Sequence, residues 1–565
     1  MTSSPESALS KALRRRYLRF AELQQHLKEL AATYPDLVRV ERIGSSTAGR
    51  PLYVVVVGRE PERARPALWI DANMHANELL GTNVALAFVD DLLALHAGDN
   101  RHALSNAVVE RAKDALVYVM PTMSPDGAEA IADDGRFVRS SLLDDKPSSR
   151  PRWRQVDIDG DGQVRRMRQL DPCGAFVESR NVPGLMLPRD VDDDGPFFSL
   201  YPEGVIENYD GESIPPWRFF DDNPLDLNRN FSAGWKPEPA QEGAGNFAGS
   251  SPEARAVMSF ASSRPNIFFW LNLHTFGGCW IRPLGDAPDS KLASDDRAIF
   301  RLIEEWTSAH VGVPTVSSFE EFCYQPEKPL AGDLCDYAFL QRGAFAWSVE
   351  LWDLYQRAGL PRTKPFVDVY GHQSRGQMEV LSRFLSSLQA SPLIPWKTAQ
   401  HPQLGEIEVG GLDPRFSMWN PPEGPLVDDV ACKHAAVFFR LLSLLPRLHV
   451  QVRRTSLGAD TALLELTIEN RGGIATSGPT GAQHLPHNEA LRAVVVDAPR
   501  VRDGCVRVVG HLGGHHAGRF GGDTTWPYQT TGEPARKTVR FVVDGNAPVR
   551  LRVGSIRTGF VDVEG

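Results

Sequence analysis

Leu68-Trp69-Ile70-Asp71-Ala72-Asn73-Met74-His75-Ala76-Asn77-Glu78 is the stretch on which the reading of the fold turns. It opens with an apolar run of strand length and leads into a helix-like segment, Thr82 to Leu95. Strands alternating with helices in this way build an α/β sheet, and ligands in such sheets bind beyond the carboxyl ends of the strands. His75 and Glu78 fall at such an end, close enough in the chain to turn toward one point. An imidazole nitrogen with a carboxylate oxygen suits Zn²⁺, which bonds both at about 2.0–2.2 Å. Two ligands do not complete a site, so a third ligand and a base must come from elsewhere.

Two further apolar runs end in residues of the right kind. Ile267 to Leu273 precedes His274, and Ala344 to Val349 precedes Glu350. Between the two histidines lies a polar knot, Asp226-Leu227-Asn228-Arg229-Asn230-Phe231. In order and local context, His75-x-x-Glu78, Asn228-Arg229, His274 and Glu350 (within Val349-Glu350-Leu351-Trp352-Asp353) resemble the zinc metallocarboxypeptidases of the carboxypeptidase A type. Tyr34-Pro35 and the stretch Ile43 to Tyr53 are similar to that family's entry into its first strands. The resemblance covers roughly the first 400 residues.

The resemblance implies a mixed, mostly parallel sheet with helices on both faces. It implies one zinc ion per chain, held by His75, Glu78 and His274, with Glu350 as general base. A zinc-bound water has a pKa of about 7, and a positioned carboxylate can take its proton and pass it to the leaving amine. Arg136-Phe137-Val138-Arg139 resembles the family's arginine pair. Arg139 is the expected partner of the oxyanion, and Arg136 the alternative. Arg229 suits a substrate's free C-terminal carboxylate because guanidinium pairs with it in a planar, bidentate way, and Asn228 adds a neutral hydrogen bond. Tyr324 resembles the mobile tyrosine that closes over substrate. Asp336-Tyr337 matches an Asp-aromatic pair of the family, which puts Cys335 at the base of the specificity pocket. A small neutral thiol there implies an apolar or aromatic C-terminal residue. One departure is Phe276, which stands where the family usually has tyrosine.

The length, 565 residues, predicts at least two domains. Residues 1–400 read as the catalytic unit, with an Asp-, Gly- and Pro-rich insertion or lid at 140–222. Residues 401–445 read as a linker and a helix, and 446–565, with short strand-like runs split by turns, as a β-sandwich. A single N-terminal helix is expected from Ala8 to Thr33, with Arg14-Arg15-Arg16 on a solvated face. A net charge of -10 argues against nucleic acid or an anionic membrane as the main partner, and no stretch reads as a bilayer span. Six scattered cysteines form no disulfide framework, and the N-terminal stretch Met1 to Glu6 lacks the apolar core expected of a signal peptide. Cytoplasmic is the default compartment, although a trimmed secreted chain reads the same. Nothing in the sequence specifies an oligomer.

Other readings compete. Asp157-Ile158-Asp159-Gly160-Asp161-Gly162 is similar to the first half of a calcium loop, but Arg168 occupies the twelfth position, so it is not an EF-hand. The alternatives are Ca²⁺ bound with help from Asp190, Asp192, Asp193 or Asp194, or a turn run closed by its own hydrogen bonds. His511, His515 and His516 with His484 and His487 form a rival metal cluster on a glycine-rich loop. In function, the main reading is hydrolysis of C-terminal peptide bonds. Its alternatives are a specialised amide hydrolase (peptidoglycan stem peptide, polyglutamate or γ-linked amide) and a non-catalytic peptide-binding protein.

Overall fold

Apolar runs without polar alternation make strands that are buried on both faces. The computed structural model, which describes residues 7–142, 149–221, 225–238, 240–388, 393–412, 418–498, 500–520, 528–530, 534–545 and 547–565, places these runs at the centre of one sheet. Its eight strands are β1 (Val38–Ser45), β2 (Pro51–Val57), β3 (Ala67–Ala72), β4 (Leu116–Met120), β5 (Ile267–His274), β6 (Cys279–Arg282), β7 (Thr315–Ser317) and β8 (Phe345–Glu350). Their spatial order is β1-β2-β4-β3-β5-β8-β6-β7. The central strands β4, β3, β5 and β8 run parallel, with antiparallel pairs at β1/β2, β2/β4 and β8/β6. Every residue of β3 and β5 is buried.

Helices cover both faces, as the resemblance implies. On one face Phe88 of helix Leu80–Ala97 meets Phe438 of helix Pro425–Leu444 edge-on at 5.3 Å, and Phe300 of helix Ser294–His310 packs on Trp347 of β8. On the other, Phe260 of helix Pro252–Ser262 packs 5.5 Å from Trp69 of β3. Helix Leu80–Ala97 is by length and composition apolar enough to cross a bilayer, contrary to the sequence reading, and it lies buried in this core.

The N-terminal region also departs from expectation. It forms two helices, Ala8–Leu13 and Phe20–Thr33. The break serves Arg14, which is 9% exposed rather than solvated and pairs with Asp91 and Asp428. A guanidinium taken out of water needs such carboxylates.

The insertion is a β layer. Strands Arg166–Leu170, Phe176–Glu178, Met186–Pro188 and Phe197–Pro202 join Leu393–His401 and Gly405–Leu412 in a six-stranded antiparallel sheet. Arg152–Gln155 pairs with Gly204–Glu207 beside it. Trp153, Met167, Ile206, Ile407 and Val409 fill its core. The stretch read as a linker thus supplies a strand to this layer and a helix, Pro425–Leu444, to the main core. The C-terminal region contains two four-stranded sheets that share a core including Leu464, Phe541, Leu491 and Leu551. Its turn residue Arg557 is fully buried against the main sheet. Arg557 donates to the carbonyls of Gly343 and Ile267 and lies 4.3 Å over the Phe268 ring.

Candidate metal centre

Parallel register brings the site together. His274 at the end of β5 lies opposite Glu350 at the end of β8, and β3 ends beside them. Beyond Ala72 the chain turns through Asn73, whose φ of 53° falls in the left-handed region that asparagine tolerates better than most residues. The Asn73 amide donates to the carbonyls of His75, Ala76 and Glu78, which folds that loop back on itself.

The three candidate ligands are buried, and their donor atoms lie within 4.8 Å of one another. His75 Nδ1 is 2.7 Å from Glu78 Oε1, His274 Nδ1 is 3.0 Å from Glu78 Oε2, and the two Nδ1 atoms are 3.1 Å apart. The opposite ring nitrogens are occupied. His75 Nε2 donates to Asp226 Oδ1 at 3.1 Å, and His274 Nε2 donates to Asn272 Oδ1. With the proton on Nε2, as these bonds allow in both rings, both Nδ1 lone pairs would face the common point. Asn272 is itself oriented, because its amide donates to Asp71. The indoles of Trp69 and Trp270 donate to the same carboxylate at 2.7 Å each. Two neutral imidazoles and a carboxylate converging in this way fit one zinc ion with an open fourth position.

Charge in the site is arranged in layers. Burial alone would raise the Glu78 carboxyl, but His75 and His274 hold it down to about 2. Burial works against Asp226 as well, and Arg139, His75 and Arg229 together keep it well below the usual carboxylate range. Glu350 is the exception. Burial, reinforced by the Glu78 charge, pushes it well above the ordinary value, and its Oε2 is buried without a hydrogen-bond partner.

The remaining predicted residues line the same cleft of about 300 Å³. Arg139 Nε donates to Asp226 Oδ2 at 3.0 Å, whereas Arg136 turns away to pair with Asp134 at 2.8 Å. Asn228 Oδ1 accepts the Leu334 N–H, and Arg229 donates to the Asn228 carbonyl. Tyr324 stands at the mouth, 58% exposed, its phenol pushed up to about 12 by burial of the hydroxyl end and the nearby Glu350. Cys335 lies in the wall, where burial pushes its thiol up. Phe276 packs 5.3 Å from Tyr370, whose hydroxyl donates to the Phe276 carbonyl. Sequence reasoning assigned no role to Asp226, Asn272, Tyr370 or Trp419. Only Asp226 carried a local signal, two residues before Asn228.

The other metal candidates read differently. Asp157, Asp159 and Glu203 gather within 4.8 Å. However, Asp157 accepts the N–H groups of Gly160 and Gly162 at 2.8 Å each, and Glu203 accepts those of Ile158 and Arg165. Asp161 pairs with Arg165, and Asp193 with Arg375. Of the two alternatives at Asp157, Asp159 and Asp161, a calcium site or a turn run closed by its own donors, these bonds favour the turn run. His515 and His516 have rings 4.5 Å apart, but among the described residues no third ligand joins them.

The zinc carboxypeptidase family (Peptidase_M14) matches residues 23–161 and 209–364, more than half of the chain, and the chain belongs to that family. The break between the two matched segments falls within the β-layer insertion. A domain family of unknown function (DUF8731) matches residues 448–565. Carboxypeptidase A6 of Mus musculus is 30% identical over 171 residues, which is 29% of this chain and 37% of that protein. Carboxypeptidase M of Mus musculus is 32% identical over 123 residues, 21% of this chain and 26% of that protein. The chain thus spans between 26% and 37% of the length of these relatives. Among solved structures, carboxypeptidase A from Helicoverpa armigera is similar with 15% identity and a TM-score of 0.40, covering 68% of this chain and 76% of that one.

Proposed function

We propose that this protein is a zinc-dependent carboxypeptidase that removes the last residue from peptides with a free C-terminal carboxylate. The observation that carries this reading is a single cleft. It holds the His75, Glu78 and His274 donors, the unpartnered carboxylate of Glu350, and the cations Arg139 and Arg229. Zinc in such a site makes water nucleophilic at neutral pH and polarises the scissile carbonyl.

The chain's own residues do the rest. Arg229 grips the terminal carboxylate in a bidentate pair, and Asn228 fixes the loop that carries it. That grip sets which peptide bond lies against Glu350. Glu350 takes the proton of the attacking water and delivers it to the leaving amine. Arg139, held by Asp226, stands where negative charge develops on the carbonyl oxygen. Tyr324 at the mouth closes over bound substrate.

The test is a defined peptide mixture incubated with the full chain, with and without added zinc, and followed by mass spectrometry. Loss of single residues from free C-termini, stopped by chelator, is the expected result. Internal cuts would remove Arg229 as a terminal clamp. Cleavage confined to γ-linked or peptidoglycan-type amides would move the reading to a specialised hydrolase. Zinc-loaded protein that binds these peptides and cuts none would make it a binding protein.

A further inference from the structure

We propose that a second cleft, between the main sheet and the C-terminal sandwich, binds a small polyphosphate anion of the di- or triphosphate class. This cleft holds about 330 Å³. Its walls come from three parts of the chain. Arg65-Pro66 and Asp114-Ala115 lead into β3 and β4, Leu442 to Leu448 end the helix Pro425–Leu444 and pass into the sandwich, and residues 558–561 are the sandwich turn beside Arg557. Strand β3 starts here and runs away from the cleft toward His75, so an occupant lies at the opposite end of the sheet from the metal centre.

Charge sets this cleft apart. The whole chain has a formal net charge of -10. Here Arg63, Arg65, Arg111, Lys113 and Arg447 line the walls with only Glu60 and Asp114 against them, five cations to two carboxylates. Both carboxylates are engaged at the exposed rim, Glu60 with Arg63 at 3.1 Å and Asp114 with Arg447 at 3.5 Å. The half-buried cations Arg65, Arg111 and Lys113 have no such partner. Arg65 donates only to main-chain carbonyls, those of Glu60, Arg63, Asp114 and Ala115. Arg111 donates to the Arg471 carbonyl of the sandwich at 2.7 Å. Among the described residues no carboxylate forms an ion pair with any of the three.

Cations that share a half-buried space without counter-charge are disfavoured by lost hydration and by one another. Burial lowers both guanidinium groups, and Arg447 adds to the effect on Arg111. The same positive field reaches His96, where burial and then Arg59, Lys113 and Arg65 hold the imidazole down to about 4. An anion entering the cleft relieves this repulsion. Guanidinium offers a planar fork and ammonium a compact point charge, and both recognise phosphate oxygens. Three cations around one cavity suit an anion with several charged oxygens better than a single carboxylate. Leu442, Leu445 and Pro446 make part of the wall apolar, which leaves the charges less screened than on an open surface. Because the walls belong to both domains, occupancy stabilises their joined form by mass action.

The experiment titrates tripolyphosphate, and separately inorganic phosphate, into zinc-loaded full-length protein at fixed ionic strength. Binding is followed by calorimetry and by the unfolding midpoint, and zinc content is measured afterwards. The expected result is one saturable equivalent of tripolyphosphate per chain, bound at least tenfold more tightly than phosphate, with an upward shift of the midpoint and zinc retained. Lys113→Gln and Arg111→Gln should each weaken binding about tenfold, the effect of one charge-assisted hydrogen bond. Lys113 has no ion pair to lose, so Lys113→Gln should melt like the parent when no anion is present. Lys291→Gln, at an exposed cation elsewhere, should bind as the parent does. Parental affinity in both cleft variants would place the anion at the zinc or at Arg229 and overturn the proposal. Absence of saturable binding, or equal affinity for phosphate and tripolyphosphate, would overturn it too.

Discussion

Two acid-bearing clusters in this chain carry residue types that hold cations, and they differ in where their lone pairs go. At His75, Glu78 and His274 the outward ring nitrogens are bonded to Asp226 and Asn272, which turns the two inward Nδ1 atoms toward Glu78, one of whose oxygens also accepts the Thr275 N–H. At Asp157, Asp159 and Glu203 the carboxylates are close together, yet their oxygens already accept N–H groups of the same loop and its neighbours. A ligand inventory does not separate the two. What separates them is whether a second layer of side chains holds the donors open or the backbone closes them.

The sharpest way to break this contrast is His274→Ala. It leaves two ligands, and the expected result is loss of the single zinc equivalent by elemental analysis together with all peptide cleavage. Glu350→Gln comes next. Turnover should fall about 10²–10⁴-fold, the range for a positioned acid–base group, while zinc content stays at one per chain. Equal loss of zinc would mean that Glu350 is a ligand rather than a base. Asp226→Asn and Asn272→Ala probe the second layer directly. Each is expected to weaken zinc about 10–100-fold in a chelator competition, the usual effect of losing an outer-shell partner. The smallest effect belongs to the other cluster. Asp157→Asn should leave zinc content and turnover unchanged and lower stability by about 1 kcal/mol, the net worth of a hydrogen bond. Excess calcium should not move the unfolding midpoint of the parent protein, and a clear upward shift would put Asp157, Asp159 and Asp161 back among the metal sites.

The candidate ligands and Glu350 were legible in the sequence because they follow apolar runs, and β3, β5 and β8 show that such runs end at the same edge of the sheet. The orienting layer was not. Asn272 looks like an interruption in a strand, and only the pairing of β5 with β3 places it beside Asp71. The β-sheet structure of the insertion escaped notice for a related reason. Its strands are three to six residues long, and the hairpin at 393–412 that completes the sheet lies far along the chain. Composition reports neither fact. Arg14 shows the limit of charge reading, since a basic run on a helix says nothing about which member finds a buried carboxylate.

Arg557 gives the C-terminal sandwich a meaning beyond attachment. Its guanidinium binds the carbonyl of Ile267, the first residue of the strand whose last residue is His274. It also closes the Gly343 carbonyl just before β8, the strand that ends in Glu350. Both chemistry-bearing strands are therefore held at their far ends by a residue of the other domain. Cutting the chain before residue 448 would leave these carbonyls without their donor, so the domains should melt in one calorimetric transition, and the boundary between them is a boundary of sequence rather than of cooperativity.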